Sequence, residues 1–265
     1  MNLERVLAQR TFRRIAKRAE MIETTTSTND HAWSKAANES ADGYVVFAEH
    51  QTAGRGRMGR SWHVPRGAGI MCSLLLIDAP EHPVPEGGVL CIIAGIATAH
   101  AIRDATGLTA RIDWPNDIII RHGKVAGVLV ESRIIGRSRR AYVVGIGINC
   151  LQHRHHFPEE LRRRATSLDI ETEGPVDREE VAGALLSRLD VWLADPSRWD
   201  PDSVCGAFRE CSLPAGRRIR LRYQGRTYAG EVVDIDPAAA LVVMLDDGTR
   251  TVFPASGTTL LHDPP

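Results

Sequence analysis

The chain has 265 residues, and its 33 basic and 33 acidic side chains give a formal net charge of zero at pH 7. A neutral chain lacks a broad basic surface, so the composition argues against DNA or RNA as a partner. No apolar run reaches the length of a membrane span, the N-terminus lacks the apolar core of a signal peptide, and five scattered cysteines indicate reduced thiols. These features predict a folded cytoplasmic protein that does not bind membranes.

The first 211 residues mix helix and strand patterns. Helices are predicted at residues 3–20, from a start within residues 26–30, at 89–106 before Gly107, from Asp177 to about 194, and at 201–211. Apolar and alternating runs predict strands at residues 44–49, 69–77, 111–113, 117–121, 124–135 and 140–149. This order is typical of a mixed α/β domain.

The sequence changes character at residues 212–216, which read Ser-Leu-Pro-Ala-Gly. Beyond them, short strands separated by turn residues are predicted at 218–223, 226–234, 240–245 and 250–254. This spacing is typical of a small β-barrel. We therefore predict two domains, residues 1–211 and residues 212–265.

An unusual loop follows the strand at 44–49: residues 54–60 read Gly-Arg-Gly-Arg-Met-Gly-Arg. Glycine lets the backbone approach a ligand, and the arginine fork suits carboxylate and phosphate. The glycine spacing matches the dinucleotide-binding fingerprint, but that motif needs a helix at its third glycine. Pro65 and the glycines at 67 and 69 oppose a helix there. The loop is therefore predicted to wrap a small anion outside a dinucleotide-binding fold.

Three further segments accompany this loop. They are Ser-Thr-Asn at 27–29, Trp-Pro-Asn-Asp at 114–117 with Lys-Val-Ala-Gly at 124–127, and Gly-Ile-Gly-Ile-Asn at 145–149. Together with Gln51 and Trp62, and in this order, they resemble the biotin protein ligases. The resemblance runs from about residue 23 to about residue 261 and includes the small C-terminal barrel. Lipoate ligases share the fold but not these motifs.

The resemblance implies a fold and a reaction. The fold is α/β (α+β), with a mixed-sheet catalytic domain of the biotin/lipoate ligase type and a small C-terminal SH3-like β-barrel. The enzyme uses ATP with Mg²⁺ to activate biotin as biotinyl-5'-AMP, and then transfers biotin to a lysine of a biotin carboxyl carrier protein. The similarity is to the form without an N-terminal DNA-binding domain, and it is compatible with a homodimer.

The resemblance also assigns roles to residues. Catalysis is expected of Lys124, Arg55 and Arg57, since cations must offset the repulsion between two reacting anions. The expected biotin-binding residues are Ser27, Thr28, Asn29, Gln51, Gly54, Arg55, Gly56, Arg57, Lys124 and Gly127. The expected adenylate-binding residues are Arg57, Arg60, Trp62, Pro65, Asn116 and Asn149. Asp117 matches an acid that would organise magnesium or phosphate.

One residue departs from the family pattern. The residue before Trp-Pro-Asn-Asp is usually lysine, and here it is Asp113. An acid at this position would oppose the binding of phosphate. Because alternate residues of a strand share a face, Arg111 is expected to lie beside Asp113 and to compensate for it.

Two other functions remain open at this stage. The protein could be a lipoate- or octanoate-transferring relative of the same fold, which the arginine-rich loop and Gln51 disfavour. It could also be a non-catalytic biotin-binding protein, a reading motivated by Asp113. The histidines at 153, 155 and 156 have no acid or cysteine at metal-ligand spacing, so they predict a solvated loop.

Overall fold

The computed structural model describes residues 1–136, 138–172, 174–236 and 240–261. Seven strands form a mixed sheet: β1 Ala19–Ile22, β2 Val45–Ala48, β3 Gly69–Ile77, β4 Arg111–Asp113, β5 Asp117–Ile120, β6 Gly123–Ile135 and β7 Arg139–Asn149. Their order is β1-β2-β3-β7-β6-β5-β4. β1 and β2 are parallel, and the other neighbouring pairs are antiparallel.

Helices cover both faces of this sheet. They are α1 Leu3–Leu7, α2 Thr28–Lys35, α3 Gly87–Thr106, α4 Leu168–Thr172, α5 Arg178–Leu193 and α6 Pro201–Cys211. Short 3₁₀ turns lie at Glu39–Ala41, Arg57–Gly59, Arg154–His156, Glu159–Leu161 and Pro196–Trp199. The long helices α3 and α5 pack together on one face, and α2 packs on the other.

The central strand β3 shows why the apolar sequence folds this way. All nine of its residues are buried, as its continuous apolar run predicts for a strand covered on both faces. Leu74 and Leu76 belong to the core that includes α3, whereas Leu75 and Ile77 pack in a second cluster with Trp33 of α2. The strand bounds are those predicted from the sequence.

Helix α3 begins at Gly87 and ends at Thr106. The next residue, Gly107, has a left-handed φ of 74° and donates its N–H to Arg103 O, which is the expected C-cap. By length and composition alone this helix could cross a membrane, so the expectation that no apolar segment is long enough is wrong for it. In the fold most of its side chains are buried, and it contacts α5 and β6. A core helix meets the same length and composition test.

The predicted helix at residues 3–20 is wrong beyond Leu7. The carboxylate of Asp190, in α5, accepts hydrogen bonds from the backbone N–H groups of Arg13, Arg14 and Ile15 at 2.8–3.0 Å. Ala16 then adopts a left-handed φ of 58°. These contacts hold the chain out of helical geometry, and β1 forms where the helix was expected to end.

The C-terminal region forms its own five-stranded antiparallel sheet. Its strands are β8 Arg218–Tyr223, β9 Arg226–Ile235, β10 Leu241–Leu245, β11 Arg250–Phe253 and β12 Thr259–Leu261, in the order β11-β10-β9-β8-β12. Four of them agree with the prediction to within one residue, and β12 was not predicted. The last residues of the predicted domain, 262–265, lie outside the described residues. Phe208 of α6 and Phe253 of β11 belong to one apolar core, which the C-terminal sheet therefore shares with the first part of the chain.

Candidate active site

A cavity of about 760 Å³ opens on the α2 face of the seven-stranded sheet. Its size is typical of a site for a small organic ligand. One wall comes from α2 and the loop at 54–62, the floor comes from β6 and β7, and the C-terminal sheet contributes Thr258, Thr259 and Leu260. The cavity therefore joins both parts of the chain.

A network of neutral side chains forms one end of the cavity. Gln51 Oε1 accepts hydrogen bonds from the Thr28 backbone N–H at 2.7 Å and from its hydroxyl at 3.0 Å. The Ser73 hydroxyl lies 2.8 Å from Thr28 Oγ1 and 2.6 Å from Asn29 Oδ1. Asn29 Nδ2 in turn donates to Glu131 Oε2 at 2.9 Å. Such fixed donors and acceptors orient a neutral polar group.

The start of α2 explains how this end is built. Ser27 is the N-cap residue of α2, but its side chain makes no capping bond. Gln51 instead accepts the Thr28 N–H, a group that an N-terminal turn leaves unpaired. The buried Ser27 hydroxyl is therefore not used for capping.

Three glycines in the floor let these side chains lie directly on the strands. A Cβ at Gly145 would collide with Asn29 Oδ1, and a Cβ at Gly147 would collide with the Trp62 indole. Gly127 faces Gly147 across β6 and β7, and a Cβ there would lie 3.3 Å from Lys124 Nζ. Steric crowding thus explains why glycine occupies these positions of the Gly-Ile-Gly-Ile-Asn and Lys-Val-Ala-Gly motifs.

The loop at residues 54–60 is attached to α2 by Arg55. The guanidinium forms a fork with the two carboxylate oxygens of Asp30, at 2.7 and 2.8 Å, and also lies 3.3 Å from Glu131 Oε1. Hydrogen bonding from Arg55 holds the pKa of Asp30 below its ordinary value. Arg55 is thereby held beside the neutral end of the cavity.

The same loop contacts the C-terminal region through the next arginine. Arg57 donates to Asn116 Oδ1 at 3.0 Å and to the Ala255 carbonyl at 2.5 Å. The Thr259 hydroxyl lies 3.0 Å from the sulfur of Met58, whose φ is 56°. Arg57 therefore connects the loop to the Trp-Pro-Asn-Asp turn and to the segment between β11 and β12.

Lys124 lies between the two ends of the cavity. It follows a tight turn in which Arg121 has a φ of 53°. Ile118 pairs with Ala126 while Ile119 pairs with Lys124, so β6 carries one extra residue beside the lysine. Lys124 Nζ lies 2.6 Å from Asp117 Oδ1 and 5.5 Å from the centroid of the Trp62 ring. The ammonium is thus held by a carboxylate and an indole.

Asp113 forms a second ion pair beside this one. Its carboxylate is buried, and Arg217 Nη2 lies 2.7 Å from its Oδ1. Arg111 instead donates to the carbonyls of Glu210 and Ser212 and does not line the cavity. The expectation that Arg111 compensates for Asp113 is therefore wrong, because Arg111 binds the end of α6.

The remaining predicted residues hold the cavity in shape. Asn149 is buried, donates to Thr166 O at 3.0 Å and accepts from Gln152 Nε2 at 2.8 Å. Asn116 Nδ2 donates to Val128 O at 3.0 Å. The buried Trp62 Nε1 has no hydrogen-bond partner among the described residues.

Comparisons with known proteins decide the family. The model of the Biotin/lipoate A/B protein ligase family matches residues 21–149. The chain is 34% identical to the biotin–[acetyl-CoA-carboxylase] ligase of Mycobacterium tuberculosis, over 91% of this chain and 88% of that protein. The chain belongs to the biotin protein ligase family. The bifunctional ligase/repressor BirA of Bacillus subtilis is 32% identical, over 86% of this chain and 70% of that protein.

A solved biotin protein ligase supports the same assignment. The enzyme from Aquifex aeolicus, in complex with biotin and ATP, superposes with a TM-score of 0.78 at 27% identity. The match covers 94% of this chain and 100% of that chain. The similarity therefore extends over both the mixed sheet and the C-terminal sheet.

Most of the residues predicted for a biotin protein ligase site line this cavity. They are Ser27, Thr28, Asn29, Gln51, Arg55, Gly56, Arg57, Arg60, Trp62, Asn116, Asp117, Lys124, Gly127 and Asn149. Gly54 and Pro65 do not line it. Gly54 lets the Trp62 carbonyl approach closely, and the Pro65 carbonyl accepts the Ala68 N–H in a turn. Direct ligand contacts of these two residues stay a prediction.

Sequence reasoning assigned no role to three residues that the structure brings to the cavity or to its lining side chains: Ser73, Glu131 and Arg217. Ser73 is a buried hydroxyl in an otherwise apolar strand, which is a signal that the pattern contained. Glu131 lies four residues after Gly127 in β6, so the two residues are on the same face of the strand. Arg217 comes from beyond the predicted domain boundary, and no local pattern marks it.

The described residues include no cluster of three or more side chains that could hold a metal ion. The carboxylate of Asp117 is paired with Lys124. His155 and His156, whose ring centroids lie 4.1 Å apart, are exposed in a 3₁₀ turn. The structure thus provides no preformed metal cage in the described residues, and Mg²⁺ is considered below only as part of the nucleotide substrate.

Proposed function

We propose that this protein is an ATP-dependent biotin protein ligase. A carboxylate oxygen of biotin attacks the α-phosphorus of ATP, the bond to the β-phosphate breaks, and biotinyl-5'-AMP and pyrophosphate form. A lysine amine of a carrier protein then attacks the acyl carbon, AMP leaves, and the amine loses a proton as the amide forms. The observation that carries this proposal is one cavity with a neutral hydrogen-bonding end, a cationic end and Lys124 between them.

The neutral end suits the ureido ring of biotin. Thr28, Asn29 and Gln51 are already connected by hydrogen bonds, so their polar atoms are fixed before the ligand arrives. Ser27 adds a hydroxyl that α2 does not use as a cap. Preorganised groups of this kind reduce the entropic cost of binding. We assign these four residues to biotin recognition.

Lys124 is positioned for the chemical step. The biotin carboxylate and the α-phosphate are both anions, and a cation between them lowers the barrier to their approach. Asp117 holds the ammonium at 2.6 Å, and we propose that Asp117 positions this lysine. Its earlier assignment to magnesium organisation stays a prediction; Mg²⁺ would arrive bound to the phosphates of ATP.

We assign the other side of Lys124 to the adenylate. Trp62, Asn116 and Asn149 line the cavity there, and Arg57 and Arg60 add positive charge. Arg55 and Arg57 attach the 54–60 loop to α2 and to the C-terminal sheet. A loop held in this way covers the mixed anhydride and keeps water from it.

The acceptor is a biotin carboxyl carrier protein, by analogy with the family. We propose further that the protein is cytoplasmic and binds neither DNA nor membranes, in keeping with its zero net charge.

We also propose a domain boundary at residue 211 and an SH3-like architecture for the five-stranded sheet. A homodimer is proposed by analogy with the family. Sedimentation analysis tests the dimer.

Exchange of labelled pyrophosphate into ATP tests the function. Exchange is expected with biotin and not with lipoate or octanoate, and biotin is expected to enter a carrier domain. Lys124→Ala should lower the exchange rate by about a hundredfold or more. Lys35→Ala, a surface lysine that pairs with Glu20, is the matched control and should leave the rate unchanged. Exchange that is faster with lipoate, or absent with biotin, would refute the proposal.

A further inference from the structure

A charged side chain from the C-terminal region enters the active-site cavity. Arg217 lies between α6 and β8, and it lines the cavity together with Leu213. Its Nη2 lies 2.7 Å from Asp113 Oδ1, and its buried Nε has no hydrogen-bond partner among the described residues. Burial of an N–H without a partner is costly, so this guanidinium is held in place at an energetic cost.

Two acid–base pairs stand side by side at this point. Asp113 of β4 is paired directly with Asp117 of β5 in the sheet register. Cβ atoms of directly opposed residues lie about 4.5–5.5 Å apart, and two opposed carboxylates destabilise a sheet. Arg217 offsets the first carboxylate and Lys124 offsets the second. The register therefore brings a guanidinium and an ammonium close together in one cavity.

A guanidinium and an ammonium in one cavity wall offer two different ways to bind phosphate oxygens. A carboxylate can accept at most two of the five N–H donors of a guanidinium, so at least three donors of Arg217 are not bonded to Asp113. A guanidinium binds phosphate through two parallel hydrogen bonds, whereas an ammonium acts as a point charge. Arg217 thus adds a second kind of phosphate-binding cation to the cavity wall that already contains Lys124.

We infer that Arg217 binds the triphosphate of ATP, beside Lys124 at the α-phosphate, and that Asp113 is a positioning residue that holds Arg217. This inference rests on the proposed function for the identity of the nucleotide. It gives Asp113 a physical role at a position where the family resemblance predicts a lysine. In this arrangement Asp113 holds the guanidinium of Arg217, which comes from the C-terminal region, where it can contact the phosphates.

The next residue in the chain is a matched control. Arg218 also forms an arginine–aspartate pair at 2.7 Å, with Asp246. Its side chain is 70% exposed, compared with 33% for Arg217, and it does not line the cavity. The two arginines have the same type of partner and differ in whether they face the cavity.

Calorimetric titration with the α,β-methylene analogue of ATP and Mg²⁺ tests the inference directly, with and without biotin. Arg217→Ala is expected to weaken nucleotide binding by about ten- to a hundredfold, the effect of removing a charged hydrogen-bonding partner. Arg218→Ala should change it by less than about twofold, in line with an exposed pair. Arg217→Lys should restore part of the affinity. Equal affinities for Arg217→Ala and Arg218→Ala would overturn the inference.

Double substitution separates binding from folding. Arg217→Ala leaves a buried carboxylate without this cation, so the variant Arg217→Ala with Asp113→Asn keeps the test valid if the single variant is unstable. Asp113→Asn alone should weaken nucleotide binding less than Arg217→Ala and have little further effect in the double variant. Additive effects of the two substitutions would contradict a positioning role for Asp113.

Pyrophosphate exchange measured in parallel distinguishes this inference from the proposed function. A native protein that binds the nucleotide but shows no biotin-dependent exchange would refute the proposed function. The role of Arg217 would then be decided by the nucleotide affinities of Arg217→Ala and Arg218→Ala. Native exchange with unchanged nucleotide affinity in Arg217→Ala would refute only the inference. A native protein that does not bind the nucleotide would refute both.

Discussion

The two ends of the cavity are built in different ways. The neutral end is formed by α2 and the sheet: Thr28 bonds to Gln51, and the Ser73 hydroxyl connects Thr28 to Asn29 before any ligand binds. Toward the cationic end, Lys124 and then Arg217 are each paired with a carboxylate, and Arg217 comes from the C-terminal region. The neutral end is therefore a preformed receptor. At the cationic end, Lys124 and Arg217 form ion pairs with aspartates in the absence of an anionic ligand.

The largest expected effect comes from filling the floor of the neutral end. In Gly145→Ala the new Cβ collides with Asn29 Oδ1 and disrupts the hydrogen-bond network. We expect biotin affinity to fall by about a hundredfold, the equivalent of about 3 kcal/mol of misplaced contacts. Titration with biotin alone measures this. Gly206→Ala, where a Cβ meets no atom within 4 Å, is the control; equal biotin affinities would contradict the preformed receptor.

A smaller effect is expected from the link between the loop and the C-terminal sheet. Arg57→Ala removes the hydrogen bonds to Asn116 and to the Ala255 carbonyl. We expect the second-order rate constant of the exchange reaction for ATP to fall by about tenfold, and biotinyl-AMP to be released faster. Binding of biotin alone should change less, because Arg57 does not contact the neutral network. If Arg57→Ala changed only the affinity for biotin, Arg57 would act at the neutral end, which would contradict this prediction.

The smallest effect concerns stability. Arg55→Ala breaks the pair with Asp30, whose side chains are 36% and 43% exposed, so solvent screening limits the loss to less than about 1 kcal/mol. Because the folded-state pKa of Asp30 is lowered, this stabilisation is complete above its ordinary pKa of 3.8 and is lost as the pH falls below that value. Urea unfolding at neutral and acidic pH measures it. A loss that grows with acidity would contradict the assigned sign.

Local patterns predicted the central strand and the long helix on the far face of the sheet well. The bounds of β3 followed from a continuous apolar run, and the end of α3 followed from Gly107. These features depend on residues that are neighbours in sequence. The helix predicted at residues 3–20 failed because Asp190, far along the chain, captures three of its backbone N–H groups.

The cationic end was less predictable for the same physical reason. The motif predicts Lys124 correctly as a cavity residue, but strand alternation predicts Arg111, on the same strand, as the partner of Asp113. Strand alternation places 111 and 113 on one face, yet Arg111 reaches the carbonyls at the end of α6. Arg217 enters from the C-terminal region, and only the packing of the two regions brings it to Asp113.

The most direct test compares one residue from each end in steady-state pyrophosphate exchange. Thr28→Val removes a hydroxyl from the neutral network and should raise the KM for biotin by about three- to tenfold with little change in kcat. Lys124→Ala should lower kcat by about a hundredfold or more and change the KM for biotin by less than about tenfold. If Thr28→Val lowered kcat as much as Lys124→Ala, or if Lys124→Ala kept the native kcat, the division of the cavity into a receptor and a reaction centre would be contradicted.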